Sequence, residues 1–141
     1  MKVLVLDCGE YERRISGAIG IDINYDDVDL LHNIREGLPF DDDSVDMIVS
    51  TYTFAYLWDN YDEFKNLVAE VNRVLKSRGM VIIQDYLHQW DEVQKEMIPI
   101  KHETIESWWT IATKEVGKLE VQSFTVDLRN LEGEYTVILR K

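Results

Sequence analysis

The feature that most constrains this chain is one well-bounded amphipathic helix set between two segments that read as strands. From Tyr61 to Lys76, the residues Tyr61, Phe64, Leu67, Val68, Val71, Val74 and Leu75 fall on one stripe of a helical period of about 3.6 residues. Asn60 is placed to cap the first turn, with Glu63 reaching back, and Gly79 to supply a left-handed stop. Val45 to Ser50 precedes the helix as a strand, and Met80 to Ile83 follows it as another, ending in polar Gln84 and Asp85. A strand, a helix and a strand in that order make a parallel crossover unit.

The rest of the chain extends this pattern. Val3 to Leu6 is an unbroken β-branched and leucine run, as expected of a parallel strand buried on both faces. Ala18 to Ile23 and Asp29 to Ile34 read as two further short strands. Leu38-Pro39-Phe40 followed by Asp41-Asp42-Asp43-Ser44 reads as a turn, since proline fixes φ and the aspartate and serine side chains bond nearby backbone. A second amphipathic helix uses Ile105, Trp108, Trp109, Ala112 and Val116, and Gly117 is placed to end it. Leu119 to Leu128 and Glu134 to Arg140 close the chain as an antiparallel pair. This order predicts an α/β fold with a mostly parallel sheet and an antiparallel C-terminal hairpin, in one domain over residues 1–141.

Early crossovers are cramped. Gly9 to Gly20 leaves little room for a packed helix and Asn24 to Val28 none, where a parallel crossover needs about a dozen residues. The first helices are therefore expected to be shortened or missing. The sheet face near strands one to three would then need a protein partner, most simply a second copy in a homodimer, to cover it.

Charge narrows the function classes. With 27 acidic and 15 basic side chains the formal charge is −12, which repels phosphate backbones and argues against direct nucleic-acid or anionic-membrane binding. Cys8 is the one cysteine, so no internal disulfide forms and no zinc-site spacing arises; a cytoplasmic setting fits this best. The apolar run at the N-terminus stops at Asp7, too soon for a signal peptide, and no membrane span follows. Asp41 to Asp43 reads as a solvated turn rather than a metal site, because calcium ligands need wider alternate spacing.

In sheets of this kind a ligand lies beyond the carboxyl ends of the strands, where the winding direction reverses. That singles out Asp7-Cys8-Gly9, Asp22-Ile23, Asn33-Ile34, Ser50-Thr51-Tyr52 and Gln84-Asp85. Tyr86, His88 and Trp90 follow and could line a substrate pocket, while Trp108 and Trp109 read as core at their helical spacing. No residue is assigned as a catalytic acid or base.

Val5-Leu6-Asp7-Cys8-Gly9, Gly20-Ile21-Asp22-Ile23, the stretch from Leu38-Pro39-Phe40 to Val49-Ser50, and Glu70-Val71-Asn72-Arg73-Val74-Leu75-Lys76-Ser77-Arg78-Gly79 occur in that order. Together they resemble the class I S-adenosylmethionine-dependent methyltransferases, a Rossmann-like fold, over about Val3 to Asp85. The resemblance implies that Asp7 and Gly9, with Cys8 between them, border the methionine part of S-adenosylmethionine. It implies that Asp22, beside Ile23, accepts hydrogen bonds from the ribose hydroxyls, that Asn33 and Ile34 sit by the adenine, and that Ser50 and Thr51 lie near the transferable methyl. Taken alone, Asp7 and Asp22 read equally as polar strand stops and Cys8 as a small buried hydrophobe.

The loop after Asp7 departs from the family, keeping one glycine before Glu10-Tyr11-Glu12-Arg13-Arg14. A second register, with Asp7 on the first loop glycine, stays open. Ala55-Tyr56 stands where many relatives in the branch related to small-molecule methylation carry Glu-His, which removes a proton-transfer pair without excluding methylation. The expected activity is methyl transfer to a small or uncharged acceptor. The alternatives are a non-catalytic binding or scaffold module and, third, another nucleotide-binding α/β domain.

Overall fold

In the computed structural model of the chain, residues 1–6, 17–22, 30–31, 33–54, 57–129 and 133–141 are described. Each apolar run becomes a strand: β1 (Val3–Leu6), β2 (Ile19–Asp22), β3 (Leu30–Leu31) and β4 (Val45–Thr51). Then come helix α1 (Tyr61–Val74), β5 (Leu75–Tyr86), β6 (His88–Asp91) and β7 (Glu96–Pro99). Helix α2 (His102–Val116) leads into β8 (Glu120–Asp127) and β9 (Glu134–Arg140).

Seven strands form one sheet in the order β3-β2-β1-β4-β5-β9-β8. The pairs from β3 through β5 are parallel. β9 inserts antiparallel between β5 and β8, so the predicted fold class holds. The chain leaves β1 toward β2 on one side and returns to β4 on the other, which puts the winding reversal between β1 and β4.

Twelve residues (7–18) join β1 to β2 and seven (23–29) join β2 to β3, the latter well below the dozen or so of an ordinary parallel crossover. Apart from Gly17 and Ala18, these connectors lie outside the described residues, and with them the expectation about the early helices. Among the described residues the first helical turn is a 3₁₀ turn at Ile34–Glu36.

Strand alternation sorts the sheet into two unequal faces. Leu4, Leu6, Ile48, Val81, Ile83, Val137 and Leu139 belong to the main hydrophobic cluster with Phe64, Leu67, Val68 and Val71 of α1 and Ile105 and Trp109 of α2. Both described helices therefore cover this face. On the opposite face Val3, Met47, Val49, Met80, Ile82 and Ile138 are only half-buried. The under-covered area thus lies on β4, β5 and β9 and reaches only Val3 of β1, since Val5 on the same face is buried; β1 is the one strand it shares with the three expected.

The helix boundaries follow local chemistry, with one correction. Asn60 Oδ1 accepts from the Glu63 N–H at 3.1 Å as expected, while the Glu63 carboxylate pairs outward with Arg35 at 3.3 Å. α2 ends at Gly117 with φ 78, as its position promised. Gly79 is not the stop of α1. The helix ends at Val74, Leu75 turns extended at φ −76, and Arg78 takes the positive φ of 68. Gly79 lies within β5, where an added Cβ would come 2.6 Å from the Leu75 Cγ, so close packing fixes the glycine there. Lys141 Nζ, donating to the Asn72 and Leu75 carbonyls at 2.6 and 2.7 Å, supplies the cation that a helix C-terminus favours.

The turn before β4 is clamped to α1. Arg73 donates to the Leu38 and Phe40 carbonyls at 2.8 Å each, to Asp42 at 2.9 Å and to Glu70 at 2.7 Å. Glu70 in turn accepts the Leu38 N–H at 2.9 Å. Gly37, at φ 95, packs so close to this carboxylate that a Cβ would approach Glu70 Oε1 to 2.6 Å.

β6 and β7 form a separate two-stranded ribbon that the sequence pattern did not announce. Among the described residues no helix is long and apolar enough to cross a membrane.

Candidate functional site

Parallel register brings the carboxyl ends of the strands to one edge. Leu6 pairs with Ile21 on one side and Ser50 on the other, so Asp22 and Thr51 each lie one residue past the end of β1. Ser50 continues to Ile83 and Thr51 to Gln84. Of the expected site residues, Asp22, Ser50 and Thr51 meet at this edge. Asp7, Cys8, Gly9 and Ile23 lie outside the described residues, as do Ala55 and Tyr56.

Asp22 ends β2 with 4% of its surface exposed. Asn33 turns its side chain onto the local backbone, accepting from the Arg35 N–H at 3.0 Å as the cap of the 3₁₀ turn. That turn carries Ile34, which is buried. Ser50 is wholly buried and donates to the Thr53 hydroxyl at 2.7 Å. By alternation Thr51 faces the other side of the sheet and is half-buried.

The loop leaving β4 is fixed from β5. Asp85, fully buried, accepts the Phe54 N–H at 2.6 Å on one carboxylate oxygen and the Tyr86 N–H at 2.8 Å on the other. Residues 52–54 are thereby tied to the β5 edge, and Phe54 packs into the aromatic core against Trp109, Phe64 and Trp58. Trp109 is core as expected, edgewise to Phe64, while Trp108 is half-buried and packs against that core, edgewise to Tyr61.

Thr51 leads into Tyr52, a non-glycine residue at φ 58. Its ring stacks on Tyr86 at 4.2 Å and its hydroxyl donates to Glu134 at 3.0 Å. Burial first, and then the Glu134 carboxylate, push the Tyr52 phenol up to about 12, so at neutral pH it serves as a hydrogen-bond donor and not as a base. Sequence reasoning placed Tyr52 and Tyr86 at this edge but missed Glu134, which arrives on β9 from 82 residues away. His88 and Trp90 lie on the ribbon, where the Trp90 indole N–H donates to Glu92 at 3.0 Å. Among the described residues no group of three or more His, Cys, Asp or Glu side chains is arranged to hold a metal ion.

Residues 7–83 match the model of a family described as a methyltransferase domain. The chain belongs to that family. S-adenosylmethionine is the cofactor of such domains, and the described residues fit it: an acidic side chain closes β2, apolar Ile34 is near at hand in sequence, and Thr51 adjoins the winding reversal. Among solved structures, a SAM-dependent methyltransferase from Methanosarcina mazei shares 18% identity, covering 99% of this chain and 92% of its own, with a TM-score of 0.71. A chain from a Haloferax volcanii complex of the Trm112 methyltransferase activator with a candidate methyltransferase matches at 20% identity, 99% and 81% coverage and 0.69. The [4+2]-cyclase SpnF matches at 12% identity, 99% and 74% coverage and 0.70. At these identities the likeness is one of fold. No curated protein sequence matches the chain.

Proposed function

We propose that this chain, acting as one domain, is an enzyme that transfers a methyl group from S-adenosylmethionine to a small or uncharged acceptor. The observation that carries the reading is the register that sets Asp22 and Thr51 on one strand edge beside the reversal between β1 and β4. The cofactor supplies a methyl already activated on a sulfonium. The protein's task is then alignment, which alone can lower a barrier substantially. Asp22 holds the ribose by accepting its hydroxyls, Asn33 and Ile34 border the adenine, and Thr51 adjoins the methyl. Asp85, through the Phe54 N–H, and Ser50, through the Thr53 hydroxyl, hold the loop beyond Thr51 against β5, and Ser50 stays beside the methionine part of the cofactor in the proposal. Asp7, Cys8, Gly9 and Ile23 complete the cofactor contacts in the proposal.

Calorimetric titration with S-adenosylmethionine and with S-adenosylhomocysteine tests the reading, alongside mass-spectrometric detection of methylated product in a panel of small nucleophiles. Binding of both ligands with product formed is the expected result. Binding without turnover would favour a non-catalytic module, a reading supported by the single glycine in the loop after Asp7 and by the seven-residue span between β2 and β3. No binding of either ligand would overturn the proposal.

The half-buried apolar face of β4, β5 and β9, with Val3 of β1, is proposed to be covered by a partner, most simply a second copy of the chain. Sedimentation that finds only monomer across the micromolar range would dismiss the second copy.

A further inference from the structure

Four side chains gather where β4, β5 and β9 meet at the proposed transfer edge. Tyr86 pairs directly with Glu134 in the ladder, two residues along from Gln84 and Thr136. Gln84, Tyr86 and Glu134 alternate with buried Ile83, Asp85 and Tyr135, so all three project from the face opposite α1 and α2. Tyr52 joins them from the loop, in a left-handed conformation that costs on the order of 1 kcal/mol for a bulky residue. Its N–H donates to the Gln84 carbonyl at 2.9 Å, and its ring lies nearly parallel to that of Tyr86, at 21°.

Glu134 is the centre of this group. One carboxylate oxygen accepts from the Tyr52 hydroxyl at 3.0 Å and the other from Gln84 Nε2 at 2.9 Å. Both donors are neutral, and among the described residues no lysine or arginine pairs with Glu134. An ionised carboxylate offers about four acceptor positions, so two neutral donors orient it without filling or neutralising it. The half-buried Glu134 side chain thus meets no positive partner among the described residues, in a chain whose net charge is −12 and which therefore attracts cations. Aromatic faces beside it add to the attraction for a positive charge. The tyrosine that touches it cannot serve as its acid or base near neutrality, since its proton is held up to about 12.

We infer that Tyr52, Gln84, Tyr86 and Glu134 form a recognition site for a compact organic cation carried by the methyl acceptor, with Glu134 as the counter-ion and the stacked tyrosines as the wall. The inference rests on the methyltransferase reading for the word acceptor, but the cation site itself does not. Because a protonated or quaternary nitrogen held as a cation has no lone pair to attack a methyl group, the cation is a handle that orients the acceptor, and the atom that receives the methyl lies elsewhere on the same small molecule. The one competing source of a compact cation at this edge is the sulfonium of the cofactor.

Phenethylamine, cationic at neutral pH, and 2-phenylethanol, its neutral counterpart, serve as the probes. Each is titrated into the full chain, with and without saturating S-adenosylhomocysteine, and followed by amide chemical shifts and calorimetry. The expected result is that phenethylamine binds about tenfold or more tightly than the alcohol, with shifts centred on residues 52, 84, 86 and 134. Glu134→Gln removes this preference and leaves S-adenosylhomocysteine affinity unchanged. Equal affinity for the two probes, or a preference that survives Glu134→Gln, overturns the site. If Glu134→Gln instead weakens S-adenosylmethionine relative to S-adenosylhomocysteine while the amine preference persists, the cation is the sulfonium and the acceptor assignment is overturned. Should neither cofactor form bind while the amine preference is still lost in Glu134→Gln, the cation site stands and the methyltransferase reading fails. Tyr86→Leu, which removes the wall and keeps the carboxylate, gives the same comparison if Glu134→Gln does not fold, and is expected to reduce the preference severalfold.

Discussion

Arg73→Ala is expected to lower the unfolding free energy by about 3 kcal/mol and the melting midpoint by roughly 10 °C. The guanidinium serves two backbone carbonyls and two carboxylates at once, and its loss strands the carbonyls of Leu38 and Phe40 together with the Glu70 carboxylate. Arg73→Lys should recover less than half of this, because an ammonium cannot reach in several fixed directions as the planar fork does. Lys95→Ala breaks an equally short contact, 2.7 Å to Glu92, but both partners there are mostly exposed, so a change within about 0.5 kcal/mol is expected. Chemical denaturation of the three variants checks this ordering. A melting midpoint for Arg73→Ala within a degree of wild type would show that the clamp carries no stability.

Acid should weaken the same clamp. Glu70 is held below the ordinary carboxylate range chiefly by the Arg73 hydrogen bonds, with the Leu38 N–H adding to the effect. A depressed folded value means that the native state binds this proton less readily than the unfolded chain. The contribution is therefore complete above the ordinary glutamate value of 4.5 and disappears as pH falls below it. Glu70→Gln should flatten that part of the stability profile.

The clamp also explains why two sequence motifs travel together in this chain. Leu38-Pro39-Phe40 and the helix segment from Glu70 to Arg73 lie more than thirty residues apart, yet the second binds the backbone of the first. Elements written in local chemistry were legible beforehand: β1 from its unbroken apolar run, β4 from the apolar-rich segment that follows the Asp41 to Ser44 turn, α1 from its stripe and Asn60, and α2 from its stripe and Gly117. Gly79 misled because a glycine a few residues past an apolar stripe looks the same whether it takes positive φ or merely accepts a close neighbour. Only the packing of Leu75 against it decides between the two. The β6–β7 ribbon escaped notice because its turn is made by Asp91, whose side chain accepts from the Val93 and Gln94 N–H groups, and by Lys95 at φ 56, with no glycine to announce it. Glu134 could not be placed at the edge without the register of β9 on β5, which is a non-local property. Asp22 was legible as the residue that closes β2, because an acid at the end of an apolar run needs only local sequence to be placed.

Asp22→Ala is expected to weaken S-adenosylhomocysteine binding by about a hundredfold. A carboxylate that accepts both ribose hydroxyls makes two hydrogen bonds to a charged group, each worth roughly 1.5–3 kcal/mol and less than additive together. A combined loss of about 3 kcal/mol corresponds to that factor. Asp22→Asn keeps one acceptor oxygen and should lose about tenfold. Asp22 is 4% exposed, so either change can also affect folding, and the two effects separate through linkage. At a ligand concentration of about one hundred times the wild-type Kd, binding should raise wild-type stability by ~2.7 kcal/mol, and that of a hundredfold weaker variant by only ~0.4 kcal/mol. This increment is a difference within one variant and is insensitive to its baseline stability. If Asp22→Ala gains as much from the ligand as wild type does, the ribose is held elsewhere, and the site must be rebuilt around another residue of the strand edge.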